Sequence, residues 1–246
     1  MRYFIHLAYN GTRFHGWQIQ PNAPSVQACI NDAISKILQI PINIVGAGRT
    51  DAGVHATCFY AHFETEKNID TQDFCYKLNK ILPYDIVIHR VFSVSYDMHS
   101  RFSANSRTYI YTISKTKNPF KVETAFFYPF DLNIEKMNEA ARILLTYTDF
   151  TSFSKLHTDV NNNDCSITHA AWTQENDLLL FTITANRFLR NMVRSITGTL
   201  IDIGKGKTSI DEFIQIIESK NRQNAGQSIP AHGLCLTNID YSEPFI

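Results

Sequence analysis

The run Gly46-Ala47-Gly48-Arg49-Thr50-Asp51-Ala52-Gly53-Val54-His55 gathers several reactive residue types into one short stretch. Three glycines in eight residues, set between two short strand-like runs, demand a tight loop with special backbone dihedrals. Arg49 and Asp51 are two apart, so in an extended loop their side chains point the same way. A guanidinium beside a carboxylate lowers its pKa and keeps it ionised. Such a carboxylate can act as a nucleophile, a base or a metal ligand. The same spacing also suits an Asx turn, in which Asp51 only holds the loop together.

Two further groups stand out. Arg101-Phe102 and Arg107-x-Tyr109-x-Tyr111 place arginines beside aromatic rings, and strand alternation puts Arg107, Tyr109 and Tyr111 on one face. Rings beside arginines suit stacking on an unpaired base, although tyrosines covering a core edge with wet hydroxyls give the same pattern. In the third group a helix predicted over about 186–203 carries Arg187, Arg190 and Arg194 within an arc of roughly 60°. Phe188, Leu189, Met192, Val193, Ile196 and Leu200 form its buried side. The arginine stripe fits phosphates or a carboxylate from the other half, and equally a plain amphipathic helix with a basic face. For a metal the pattern is poor. Cys165 and His169 are four apart, but an ordinary buried thiol beside a surface His explains them, and Asp51 with His55 lacks a third ligand at suitable spacing.

Behind these residues the elements alternate. Strands are expected at 3–8, 42–45, 57–63 and 86–94, with helices capped by Ser25 and Asp70 between them. The order then repeats: a strand at 108–113, a helix capped by Asn133, a hairpin of 169–173 and 178–185, and the long basic helix. A helix with a Ser209/Glu212 capping box and a last strand at 234–240 end the chain. Each half reads β-α-β-β-α-β, the split-βαβ pattern. The expected fold is α+β, two such halves packed into a central, mostly antiparallel sheet with helices on one side. The boundary falls near residue 104, giving an N-terminal half, 1–104, with the Asp51 loop, and a C-terminal half, 105–246, with Tyr109 and the basic helix.

Of 246 residues, 44% are apolar and 19% charged, enough for a real core and too apolar for a disordered chain. No run is long enough for a signal peptide or a membrane span, so a cytoplasmic protein with no membrane partner is expected. Five widely spaced cysteines suggest neither a zinc ribbon nor a disulfide framework. Net charge is zero, which taken alone argues against a nucleic-acid partner. The charges are segregated, however. Residues 101–121 hold five basic residues and no acid, whereas 123–177 hold nine acids and three bases. That distribution is consistent with one positive face on a neutral protein.

The motifs resemble a known family. Residues 48–56, Gly-Arg-Thr-Asp-Ala-Gly-Val-His-Ala, are similar to the signature of the tRNA pseudouridine synthase A family. Further matches follow in the same order. They are Tyr9-x-Gly11 with Phe14-x-Gly16-Trp17-Gln18, Ser25-Val26-Gln27, Asn79-x-x-Leu82-Pro83-x-Asp85-Ile86 and Arg101-Phe102-Ser103-Ala104. Then come Arg107-x-Tyr109-x-Tyr111, Asp149-Phe150-Thr151-Ser152-Phe153, Phe188-Leu189-x-x-Met192-Val193-Arg194 and Pro230-Ala231-x-Gly233-Leu234. Cys58-Phe59, where the family usually has Gly-Gln, and Ser100, where Ala is usual, depart from the pattern, as does Asn161-Asn162-Asn163-Asp164-Cys165, which has no arginine where relatives often place one.

The resemblance implies a homodimer without a cofactor that converts uridines at positions 38 to 40 of the tRNA anticodon stem-loop to pseudouridine. It implies Asp51 as the catalytic aspartate, Arg194 as its basic partner, and Tyr109 as the ring that packs on the target base. Arg49 takes the place of the residue that fills the space left by the flipped base. Arg101, Arg107, Tyr111, Arg187 and Arg190 complete the expected substrate contacts. A non-catalytic structured-RNA-binding protein of the same fold is the alternative; the joint presence of Asp51, Tyr109 and Arg194 favours the enzyme.

Overall fold

The computed structural model describes residues 1–155 and 162–242. Alternating Tyr3, Ile5 and Leu7 make Arg2–Tyr9 a strand, β1, whose inner face is closed to water. It is followed by α1 (Val26–Leu38), β2 (Val45–Gly46), β3 (His55–Glu64), α2 (Thr71–Ile81) and β4 (Ile86–Val94). β1 lies between β3 and β4, antiparallel to both, with Tyr3 opposite Phe63 and Phe4 opposite Phe92. Phe63 stacks on Tyr3 at 5.6 Å and meets Phe74 of α2 at 5.9 Å, so α2 covers that face, with α1 against it. Both helices start as expected. The Ser25 hydroxyl accepts from the Ala28 N–H, and Asp70 accepts from Gln72 and Asp73. Each such cap contributes about 1 kcal/mol.

Next come β5 (Ala104–Ser114), most of which lies in a second unit, a short β6 (Phe126–Phe127) and α3 (Ile134–Ile143). The hairpin β7 (Ile167–Glu175) and β8 (Leu178–Ala185), α4 (Met192–Gly204) and α5 (Ile210–Glu218) follow. β8 pairs antiparallel with both β5 and β7, and Asn176, left-handed at φ 55°, makes the hairpin turn. Asn138 of α3 bonds both the N–H and the carbonyl of Trp172, fastening α3 to β7. The Ser209/Glu212 capping box is formed in full. β6, parallel to β5, has no signal in the sequence, because two residues are too few to show a period.

The chain divides into two compact units, 1–105 together with 235–246, and 106–234. Each is α+β, and the strand pairings within each are mostly antiparallel. The last strand, β9 (Leu234–Tyr241), pairs parallel with β3, His55 opposite Cys235. It is thereby grouped with the first unit, whereas the sequence pattern placed it at the end of the second half.

Several strands run longer at their ends than expected, and two elements differ in kind. The strand at 42–45 is replaced by β2, which pairs with β3 only at Val45 and Gly46. More consequentially, α4 starts at Met192 and not near 186. Asn191 is left-handed at φ 66°, which no α-helix accommodates. The Asn186 side-chain carbonyl accepts from the Ser166 and Arg187 N–H groups, offering the backbone a turn in place of a helix. Arg187 and Arg190 therefore lie on a loop, and of the three only Arg194 is helical. Cys165 is buried and His169, on β7, is exposed, as an ordinary buried thiol beside a surface His would be. Among the described residues no His, Cys, Asp and Glu cluster could hold a metal, and no helix is long and apolar enough to cross a membrane.

Candidate active site

Asp51 stands in the connection from β2 to β3, half-buried, with Arg49 exposed two residues before it. The loop is held by the segment after β1. The Gly53 N–H donates to the Phe14 carbonyl at 3.2 Å, and the Trp17 N–H donates to the Thr50 carbonyl at 3.3 Å. The Tyr9 and Thr50 hydroxyls are 2.9 Å apart in the interior, and the Gly11 N–H donates to His55 Nδ1 at 3.0 Å. His55 is thus a buried strut beside Asp51. Within the loop the Val54 N–H closes a turn onto the Asp51 carbonyl at 3.1 Å.

Glycine is required where these backbones meet. A Cβ on Gly11 would lie 2.0 Å from the Val54 oxygen, and one on Gly16, at φ +92°, would lie 2.3 Å from the Thr50 oxygen. Gly53 is left-handed at φ 78°, whereas Gly48 has nothing within 4 Å of a would-be Cβ. Tyr9-x-Gly11 and Phe14-x-Gly16-Trp17 thus form the mould for the Asp51 loop. Under it the Trp17 and Phe59 rings meet at 4.1 Å, and Tyr9 packs on both. Arg101 is exposed, its guanidinium over the ring of Phe102 at 5.5 Å. Next to it, the buried Ser100 hydroxyl donates to the Val45 carbonyl at 2.8 Å, where the strand leading to the loop begins.

In the second unit the expected residues gather on β5, the loop 186–191 and the start of α4. Arg107 Nη1 donates to the Asn186 carbonyl at 2.9 Å, and Tyr109 meets Phe188 edge to face at 5.3 Å. Arg187 Nη1 donates to Asn162 Oδ1 at 3.2 Å, and the Arg190 carbonyl accepts from the Lys155 N–H at 3.1 Å. Arg194 Nε donates to the Ile229 carbonyl at 2.8 Å. Tyr111 shares a strand face with Tyr109 but is fully buried, its hydroxyl donating to the Pro230 carbonyl at 2.9 Å. Burial pushes its phenol pKa up. A ring so enclosed supports the site and offers no face to a base.

The basic run 101–121 is less free than its composition suggests. Lys115 bonds the Phe130 carbonyl and lies 3.3 Å from Asp131, and Lys121 lies 3.7 Å from Asp177. Acids from the segment 123–177 return to pair with it.

The tRNA pseudouridine synthase family model matches residues 6–103 and 140–242, most of the chain, including the Asp51 loop and the segment from Arg187 to Arg194. The chain belongs to this family. The tRNA pseudouridine synthase A of Parabacteroides distasonis is 52% identical over 243 residues, covering 98% of this chain and 96% of that protein. The proteins of the same name from Bacteroides thetaiotaomicron and Bacteroides fragilis are each 51% identical, spanning 98% of this chain and 91% and 97% of theirs.

Two of the departures from the family pattern have a local explanation; the third begins at residue 161, outside the described residues. Phe59 completes the ring cluster under the loop. Ser100 makes two contacts with His62, its N–H at 3.2 Å and its hydroxyl at 2.8 Å from Nδ1, beside a ring whose burial pushes its pKa to about 4. Tyr9, Thr50 and His55 all lie in the quoted motifs, but the sequence does not show them as supports of Asp51. Their pairing joins residues more than 40 positions apart.

Proposed function

We propose that this chain is an isomerase that converts uridine to pseudouridine in tRNA, at positions 38 to 40 of the anticodon stem-loop. The observation that carries the reading is the Asp51 loop: a half-buried carboxylate on a backbone pinned at Thr50, Gly53 and Val54, flanked by an anchored His55. Preorganisation of this kind suits a group that must meet one atom of a flipped nucleotide.

Uridine and pseudouridine are isomers, so nothing is gained or lost. The C1′–N1 bond breaks, the base turns, a C1′–C5 bond forms, and the C5 hydrogen is replaced by one on N1. Asp51 assists as nucleophile towards base or ribose, or as acceptor of a ribose proton. Tyr109, steadied by Phe188, offers its ring to the base, and stacking of this sort contributes about 1–3 kcal/mol. Arg194 supplies the cation for the carboxylate, and Arg49 fills the vacated stack. Arg101, Arg107, Arg187 and Arg190 contact the tRNA. The working form in this reading is a cytoplasmic homodimer without a cofactor.

Incubating unmodified tRNA with the protein and mapping pseudouridine by chemical labelling and primer extension tests the proposal. Label at 38, 39 or 40 is expected; binding without any label would favour the non-catalytic RNA-binding alternative. Phosphate contacts add a second expectation. Arg190→Ala should lower the slope of log affinity against log salt by about one. Lys115→Ala should lower it less, because Asp131 already sits beside that ammonium. Equal slopes for Arg190→Ala and the unaltered protein would remove Arg190 from the interface.

A further inference from the structure

The segment 221–230, between α5 and the last short helical turn, has no regular structure yet is fastened throughout. Arg222 donates to the Ala225 and Gly226 carbonyls, both at 3.3 Å, and to Ser228 Oγ at 2.9 Å. Among the described residues no carboxylate pairs with it. A cation drawn partly out of water with no anion is costly, so its bonds to this segment are what hold it there. The segment is also fastened to α4. The Gly226 N–H donates to Thr199 Oγ1 at 2.9 Å, and the Gln227 carbonyl passes so close to Gly198 that a Cβ there would lie 1.9 Å away.

Two rungs then reach the start of α4. Asn191 Nδ2 donates to Ser228 Oγ at 2.6 Å, and Ile229 bonds Arg194 twice, its N–H to the Arg194 carbonyl at 3.3 Å and its carbonyl from Arg194 Nε. Asn191 and Arg194 are one turn apart, and Ser228 and Ile229 are adjacent. A guanidinium fixed through Nε has its plane set, so the direction of its two terminal nitrogens follows the position of Ile229.

We infer that residues 221–230 form a strap that aims Arg194, with Arg222 and Ser228 as positioning residues for the isomerisation. The inference rests on the reading of Arg194 given above. Ser228 is the shared point: its oxygen takes Arg222 from one side and Asn191 from the other. Lys at 222 cannot replace the fork, since a single ammonium does not span two carbonyls and a hydroxyl in the same geometry.

The test is steady-state kinetics on tRNA carrying 5-tritiated uridine, with tritium release as the readout. Ser228→Ala is expected to lower kcat by about tenfold or more while KM stays within about twofold, with an unchanged circular dichroism spectrum. Ser228→Thr, which keeps the hydroxyl, should recover most of the rate, and Arg222→Lys should behave like Ser228→Ala. In an Arg194→Gln background, Ser228→Ala should have little further effect, because the group it aims is gone. Unchanged kcat in Ser228→Ala, or an equal loss with and without Arg194, would overturn the strap's role. A loss matched by the unfolded fraction would do the same. Full activity of Arg194→Gln itself would instead overturn the assignment of Arg194, and the strap's role with it.

Discussion

Asp51→Asn should abolish pseudouridine formation and leave tRNA binding within a few-fold of the unaltered protein. The substitution keeps the size and planarity of the side chain, and the loop that carries it is held by main-chain bonds at neighbouring residues, not by the carboxylate alone. What is lost is the negative charge and the capacity to attack or to accept a proton. Removing the nucleophile of an enzyme costs on the order of 10³-fold or more in kcat. Because the frame of Tyr9, Trp17 and Phe59 remains, the melting temperature should move little. Multiple-turnover assays with Asp51→Asn, beside a filter-binding measurement, decide the matter. Turnover within about tenfold of the unaltered protein is more than a lost nucleophile permits, and would show that Asp51 only ties the loop together. Loss of binding along with turnover would make the loop a docking surface.

Local patterns made most of this fold legible and none of its long-range fastening. Ser25, Asp70, Asn133 and Ser209 each cap a helix where their side chains and spacing say they should, because capping depends only on residues within one turn. The start of the basic helix differs from its sequence pattern for the opposite reason. Apolar residues at 188, 189, 192 and 193 have helical spacing, but Asn186 and Asn191 hold the backbone in turns that periodicity does not register. Of the candidate site, Asp51, Tyr109 and Arg194 are put forward by residue type and by the family resemblance. The supports were not: Gly11 under Val54, Gly16 under Thr50 and Ile229 against Arg194 are encounters between segments distant in sequence. A glycine that admits a neighbouring backbone looks, in sequence, like one that merely bends a loop. Tyr111 shows the same limit, since alternation assigns it the face of Tyr109 but cannot say how deep along the strand the interior begins.

Gly198→Ala should destabilise the protein, against the ordinary preference of a helix. In the interior of an exposed helix the change is worth about 1 kcal/mol in favour of Ala. Gly198 lies in the middle of α4, so helix propensity alone predicts a gain. The new methyl, however, would lie 1.9 Å from the Gln227 oxygen and 3.1 Å from its carbonyl carbon. Neither atom belongs to a flexible side chain. Either α4 or the strap must move by more than an ångström, and overpacking of this order costs about 1–3 kcal/mol. For a chain of this size each kcal/mol lowers the melting temperature by roughly 2 to 4 °C. Gly48→Ala supplies the contrast, because its Cβ would meet nothing within 4 Å and its melting temperature should be unchanged. The displacement at Gln227 is two residues from Ile229, the partner of Arg194, so kcat of Gly198→Ala should fall below what the folded fraction accounts for. Thermal denaturation of the two variants side by side, with turnover measured well below the transition, reads both effects. A higher melting temperature for Gly198→Ala would mean that the strap does not lie on α4 in solution.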